Sequence, residues 1–442
     1  MGRWLGQAYP HPKLLAALPI STSPQGGGDI PIEHAGIENC MTGMDRPLSG
    51  IRVLDLTQFL SGPFATQMFA DLGAEIIKLE PPQGDPIREV PPHFVGDDSV
   101  YYLCINRNKR CVAVDMKQEA GRALVKRLAL ASDIVMENFR PGVLDRLGLS
   151  AEAIRKEKPS LIWCSISGFG QDGPYRNKPA YDMIVQALSG GMSLTGEAGG
   201  APVRAGIPIG DLAAGLYASV AALAALNRRH TTGLGDTIDI SMLDCQAAML
   251  CYQAAYYMHS GVVPGRQGRG HESIPTYRSF EAKDGLHVVI TANTERMWQG
   301  LARALGHEEW LSDPRFSINK DRLTNKAVLV PMLEEAFHAR NADEWVTLLE
   351  REEVPVGVVN TLDRVMKDPQ IRHRNMVLDL GSSDGRRASV AGNPMKFKDT
   401  PPEEKNYPGT LGADTAAVLK DVLDLSPSEI ADLVQAKTII AH

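Results

Sequence analysis

From Gly50 onward, short apolar runs alternate with helical segments of about ten residues, and this alternation limits the fold more than any other feature. "IRVLDL" (51–56) reads as a buried strand. "GPFATQMFADLG" follows it, with Pro63 suited to a first helical turn and Gly73 to a C-terminal cap. "EIIKLE" (75–80) is the next strand. "EAGRALVKRLALA" has helical periodicity, "DIVMEN" reads as strand, "LDRLGLSAEAIRKEK" as helix and "LIWCSIS" as strand. Strands joined through single helices run parallel, because each helix carries the chain back to the same end of the sheet. The expected class is α/β, with a large Rossmann-like domain built on a parallel sheet.

The pattern continues through a long Ala-rich helix ending at "NRRHTTGLG", a strand "DTIDISM" and a helix "DCQAAMLCYQAAYYMHSG". Then the texture changes. "PGRQGRGHESIP" (264–275) is a Gly- and Arg-rich loop, "SFEAKDGLHVVITA" a hairpin turning at Asp284-Gly285, and "VPVGVVN" a later strand. These features divide the chain into a large domain at 45–260, a linker at 261–272, a smaller α+β domain at 273–365 and a C-terminal segment, 366–442, returning to the large domain. Residues 1–44 read as a disordered or extraneous extension with Met44 as a plausible start. The lack of an acidic residue before Asp29 gives a weaker likeness to a transit peptide.

A net charge of −7 argues against broad nucleic-acid binding, since no basic excess is there to neutralise phosphates. The most apolar stretch, 212–226, is shorter than the ~20 residues of a membrane span. None of the six cysteines forms a CxxC pair or a zinc spacing with histidine, so they read as reduced, buried small hydrophobes in a cytoplasmic protein, and no metal is expected. The first strand–helix turn, "TQFLSGP", has one glycine where a dinucleotide fingerprint has three, and "GMSLTGEAGG" has Glu197 where a P-loop has lysine.

The remaining candidate is Asp211, in "GIPIGDLAAGLYASVAALAAL" (206–226). One reading makes it a helix cap that only satisfies backbone amides. The other makes it a nucleophile. A helix N-terminus favours the anion, so the carboxylate is expected to stay ionised at neutral pH. Flanking glycines let a substrate approach the backbone. Attack of a carboxylate on a thioester conserves the activation as an anhydride. Composition alone does not choose between the two.

The chain resembles the class III CoA-transferases, the family of formyl-CoA:oxalate and carnitine CoA-transferases that also includes the α-methylacyl-CoA racemases. The motifs are "LSGIRVLDLTQFLSGPFATQMFADLGAEIIKLEPP", "NRNKRCVAVDMK", "DIVMENFRPGVLDRLGL", "SGFGQDGPYRNKPAYDMIVQALSG" and "IPIGDLAAGLYA". The resemblance implies that Asp211 attacks the donor acyl-CoA and carries CoA as an aspartyl thioester, with Asp182 as the rival carboxylate. Racemases of the family have a histidine where this chain has Tyr181. A phenol, of ordinary pKa ~10, is a poor base, and no histidine occurs between Phe94 and Arg229, so a transferase is favoured.

By the same resemblance Val114, Lys117, Asn138, Phe139, Arg146 and Leu147 contact CoA, the cations taking phosphates and the apolar groups adenine. CoA is then a substrate, and no tightly bound cofactor is implied. Formyl-CoA transferases have a glutamine where this chain has Leu60, and a tetraglycine loop where it has "GRQGRGHE". Oxalate and formyl-CoA are therefore doubtful. Arg266 and Arg269 become candidates for the second carboxylate of a dicarboxylic acid such as succinate, as does Arg204 near Asp211. The resemblance also implies an interlocked homodimer. The expectation is a CoA-transferase acting on acyl-CoA and small carboxylic acids, with no nucleic-acid or membrane partner. An acyl-CoA racemase or isomerase and a non-catalytic CoA-binding protein are the alternatives.

Overall fold

The structure is a computed structural model that describes residues 46–402 and 406–442. Expectations placed on residues 1–45, including Cys40, lie outside the described residues. The alternating region forms β1 (Arg52–Asp55), α1 (Ser61–Asp71), β2 (Glu75–Glu80), β3 (Lys109–Val114), α2 (Glu119–Ala131), β4 (Ile134–Glu137) and β5 (Ile162–Ser167). After α3 (Asp182–Leu188) and α4 (Ile209–Thr232) comes β6 (Thr237–Ser241).

These six strands pair in parallel in the order β3-β2-β1-β4-β5-β6, and the C-terminal strand Ile439–Ile440 adds antiparallel to Ala113 and Val114 of β3. That last strand covers a sheet edge that would otherwise leave backbone groups unpaired. Side chains alternate across the sheet. Val53, Ile76 and Ile134 enter one apolar cluster, and Leu54, Ile77 and Val135 enter another on the opposite face. Each large aliphatic side chain so buried contributes about 1.5–3 kcal/mol, which explains why these strands are apolar throughout rather than at every second residue.

α4 packs on α1 through its small residues. A Cβ on Gly215 would stand 2.6 Å from the Ser61 carbonyl, so the close approach of the two helices needs glycine there. The helix runs to Thr232, longer than the apolar stretch read from sequence. By length and composition alone it is apolar enough to cross a membrane, but half of its most apolar window is buried inside the fold.

Two single helices expected from sequence are broken. "LDRLGLSAEAIRKEK" splits into Val143–Arg146 and Ala151–Glu157, because Gly148 turns left-handed and Ser150 caps the second piece. "DCQAAMLCYQAAYYMHSG" splits into α5 (Met242–Met249) and α6 (Cys251–Ser260), with Cys251 at φ 47°. Cys251 is exposed and Cys104 half-buried, so the expectation of uniformly buried cysteines holds only for Cys111, Cys164 and Cys245.

Further along, β7 (Tyr277–Glu281), β8 (His287–Thr291) and β9 (Val356–Val358) form a separate antiparallel sheet with its own core around Trp298, Phe316 and Trp345. The β7–β8 turn includes Gly285 at φ 78°.

Candidate active site

The order β2-β1-β4 reverses the direction of sheet growth at β1. Loops leaving neighbouring strands there part company, which is where open α/β sheets place their ligand crevice. A cavity of about 530 Å3 opens at this point. Its walls are Gln58 and Phe59 after β1, Asn138–Pro141 after β4, and Ile166–Phe169 at the end of β5. Tyr101, Tyr181, Asp182, Arg204 and Asp211 also line it.

Asp211 is not the helix cap. Pro208 holds that position without a side-chain hydrogen bond, and Asp211 stands in the first turn. The capping is done from another helix: Asp182 Oδ1 accepts the Gly210 amide at 2.7 Å. Asp211 is left with no hydrogen bond to its carboxylate among the described residues. Burial, and secondarily the Asp182 carboxylate, push its pKa up to about 7. This corrects the expectation of full ionisation at neutral pH. The helix end supplies partial positive charge, but the donor that would have fixed the anion is already taken. Burial first, then the neighbouring Asp211, also raises the pKa of Tyr101, which lines the same cavity.

The turn after β1 is held from behind by a buried ion-pair chain. Lys78 Nζ donates to Asp85 at 2.8 Å and to the Thr57 carbonyl at 2.5 Å, and Lys109 Nζ donates to Asp55 at 3.1 Å. Asp85 in turn accepts the Phe59 amide at 3.3 Å. Burial opposes charge on Lys78, yet Asp85 and Asp55 outweigh it and raise its pKa. On Lys109 burial wins, and its pKa falls to about 8. Phe59 adopts a left-handed φ of 61° and meets Tyr181 edge-on, with ring centroids 5.9 Å apart.

Residues 48–415 match CoA-transferase family III. The chain belongs to that family. It is 37% identical over 398 residues to human "Succinyl-CoA:glutarate CoA-transferase", covering 90% of this chain and 91% of the relative. It is 38% identical over 379 residues to "Acetyl-CoA:oxalate CoA-transferase" of Acetobacter aceti, covering 85% and 95%. Among solved structures, a CAIB/BAIF family protein from Brucella suis superposes with a TM-score of 0.78 at 35% identity, covering 86% of this chain and all of that one. The chain is thus an enzyme of the CoA-transferase class.

Of the CoA-transferase residues read from sequence, the cavity gathers Asp211, Tyr181, Asn138 and Phe139. Asn138 is engaged in a reciprocal clamp, accepting the Gln58 amide at 2.8 Å and donating to the Gln58 carbonyl at 2.7 Å, so it ties two cavity loops together. Lys117 and Arg146 are exposed outside the cavity, and Leu147 is partly buried against the same core cluster as Phe139. Val114 is fully buried in the sheet core, so its side chain presents no surface to adenine. Leu60 also turns inward, against Ile87 and Leu103, while its neighbours Gln58, Phe59 and Ser61 face the cavity.

Arg266 and Arg269 are not among the residues that line the cavity. Arg266 donates to the Gly200 and Ser193 carbonyls, and Arg269 pairs with Glu334 at 3.7 Å. Loop carbonyls and a glutamate compete for these guanidinium groups, and composition could not reveal that. The cations that do line the cavity are Arg140, Arg176, Lys178 and Arg204. The first three were missed. "FRPG" and "YRNKPAYD" flank motifs that the reading had already singled out, and that adjacency was the available clue.

Among the described residues no group of three His, Cys, Asp or Glu side chains is arranged to hold a metal ion.

Proposed function

We propose that this enzyme transfers CoA between carboxylic acids, at least one of them dicarboxylic, through covalent intermediates on Asp211. The observation that carries this reading is a carboxylate facing the cavity without a hydrogen bond, at the head of a helix and beside Tyr101. An anion held by several donors is stabilised as a ground state and is a poorer nucleophile. One left unpaired gains by bonding to an electrophilic carbon.

In the proposed cycle an Asp211 oxygen attacks the donor thioester carbonyl, the C–S bond breaks and CoA thiolate leaves. The thiolate then attacks the aspartyl carbonyl of the mixed anhydride, releasing the donor's carboxylate and leaving an aspartyl-CoA thioester. The acceptor carboxylate attacks that thioester and expels the thiolate. Thiolate addition to the acceptor's acyl carbon frees Asp211 and gives the new acyl-CoA. Over the whole cycle one thioester replaces another, so no nucleotide is consumed.

Each of the two relatives' names includes a dicarboxylic acid, succinate and glutarate in one and oxalate, beside the monocarboxylic acetyl group, in the other. Arg204 lies on the segment leading into Asp211 and lines the cavity, so it is the proposed partner of the second carboxylate. CoA is proposed to lie over Phe139, with its phosphates toward the exposed Lys117 and Arg146. Self-association is supported by large apolar side chains left exposed on the outer face of α4 and along α6.

The test is a panel of acyl-CoA donors against oxalate, succinate, glutarate and monocarboxylic acids, read by mass spectrometry of the new thioester. Failure of every pair would overturn the reading.

A further inference from the structure

The segment that delivers Asp211 to the cavity, residues 205–210, contains no helix or strand until its last two residues. Asp211 itself stands in the first turn of α4, directly after this segment, so the segment's placement fixes how the helix enters the cavity, and a misplacement of the nucleophile by ~1 Å lowers rates by on the order of a hundredfold. The segment is braced from α3. Gln186 Oε1 accepts the Ala205 amide at 2.9 Å, and Gln186 Nε2 donates to Asp182 Oδ2 at 2.6 Å. Asp182 Oδ1 then accepts the Gly210 amide at 2.7 Å. One continuous path, Ala205–Gln186–Asp182–Gly210, therefore grips both ends of the segment. Asp182 and Gln186 are four residues apart on one helical face, the spacing at which such side chains meet.

Gln186 is 2% exposed and does not line the cavity. Both ends of its amide are engaged by groups whose identity fixes its orientation: an N–H donor at Ala205 and a carboxylate acceptor at Asp182. Gly210 also has no room for a side chain, since a Cβ there would lie 2.9 Å from Asp182 Oδ1 and 2.5 Å from Gln246 Nε2.

We propose that Gln186 is a positioning residue for the transfer reaction, acting through Asp182 and the Ala205 amide to hold Asp211 in line with the thioester. The proposal rests on Asp211 as nucleophile. Gln186 touches neither substrate nor the reacting atoms, so its removal leaves acyl-CoA affinity intact and slows only the step that needs alignment.

The test uses the full-length enzyme, mixed with the acyl-CoA donor that the panel identifies and quenched at intervals. Mass spectrometry follows the adduct at residue 211, alongside steady-state kcat and KM. Gln186→Leu, of similar volume, removes both hydrogen bonds. It is expected to slow adduct formation at least tenfold, with KM for acyl-CoA within about twofold of the wild type. Gln186→Glu keeps the acceptor for Ala205 but loses the donor to Asp182 and sets a second carboxylate against it, so it is also expected to slow adduct formation at unchanged KM. If the leucine variant does not fold, the glutamate variant alone is expected to form the adduct more slowly at unchanged KM. Adduct formation at the wild-type rate in the folded variants, or a loss confined to KM, overturns the positioning role while leaving Asp211 as nucleophile. Absence of any adduct at residue 211 in the wild type, while transfer proceeds, overturns the nucleophile reading and the brace with it.

Discussion

Asp182 takes the Gly210 amide at 2.7 Å, and the carboxylate of the next residue in the chain, Asp211, is left without a donor. Two carboxylates at one helix end thus have different work: one fixes backbone and the other faces the cavity. Asp211→Asn preserves shape and loses the anionic oxygen. Transfer is expected to fall by about 10^3-fold or more, with the fold intact by circular dichroism. Turnover within tenfold of the wild type would remove Asp211 from the chemistry.

The raised pKa of Asp211 makes activity and stability respond to pH in opposite ways. The nucleophile has to be deprotonated, so kcat/KM is expected to rise with pH through about 7. For stability, the ordinary carboxyl value is 3.8 and the folded value about 7. Between those limits the folded state holds a proton that the unfolded chain has released. Stability therefore falls as pH rises across the window and is flat above it. Asp211→Asn removes this penalty. In urea melts the variant is expected to match the wild type near pH 4 and exceed it at pH 8, by on the order of 1–3 kcal/mol. Equal stability at pH 8 would contradict the burial argument.

Asp211 was legible in the sequence because a charge ahead of a long apolar run marks a helix start, and the parallel strands other than β3 were legible from their length and spacing. The buried charges were not. "EIIKLE" reads as a strand and "NRNKR" only as part of a motif, and nothing local says that Lys78 reaches Asp85 or that Lys109 reaches Asp55. Nor could sequence place Arg266, whose carbonyl partners lie 66 and 73 residues away. Partners brought together by topology rather than by spacing leave no periodic trace.

The Lys78–Asp85 pair is expected to matter for stability more than for binding. Both side chains are fully buried, and removing Asp85 takes away the ion-pair partner that contributes most to holding the Lys78 charge. Asp85→Ala is expected to cost about 3–5 kcal/mol in a denaturant melt. It also frees the Phe59 amide and the turn that meets Tyr181. A loss below about 1 kcal/mol would mean that solvent reaches Lys78.

Dicarboxylate recognition is assigned to the cavity's own cations. Arg204→Ala is expected to raise KM for a dicarboxylic acceptor about tenfold or more, as the loss of a charge-assisted hydrogen bond does, and to leave a monocarboxylic acceptor unchanged. Equal effects on both acids would make Arg204 a contact to CoA or to the loop instead.

The last expectation concerns the outer face of α4. Its inward face carries Ala213, Ala214, Gly215, Ala218 and Ala222, while several of its larger apolar residues face away from the core: Leu216 is 50% exposed and Val220 66%. α6 has no buried residue and exposes Tyr252, Tyr256 and Met258. A helix that faces its own core with small residues and solvent with large ones gains little from burial within one chain, and recovers it when a second surface covers the outer face. Val220→Glu combined with Met258→Glu places two charges on these exposed surfaces without touching the core or the cavity. The pair is expected to shift the sedimentation coefficient toward that of a monomer while the circular dichroism spectrum is retained. An unchanged sedimentation profile would show that these faces stay uncovered in solution.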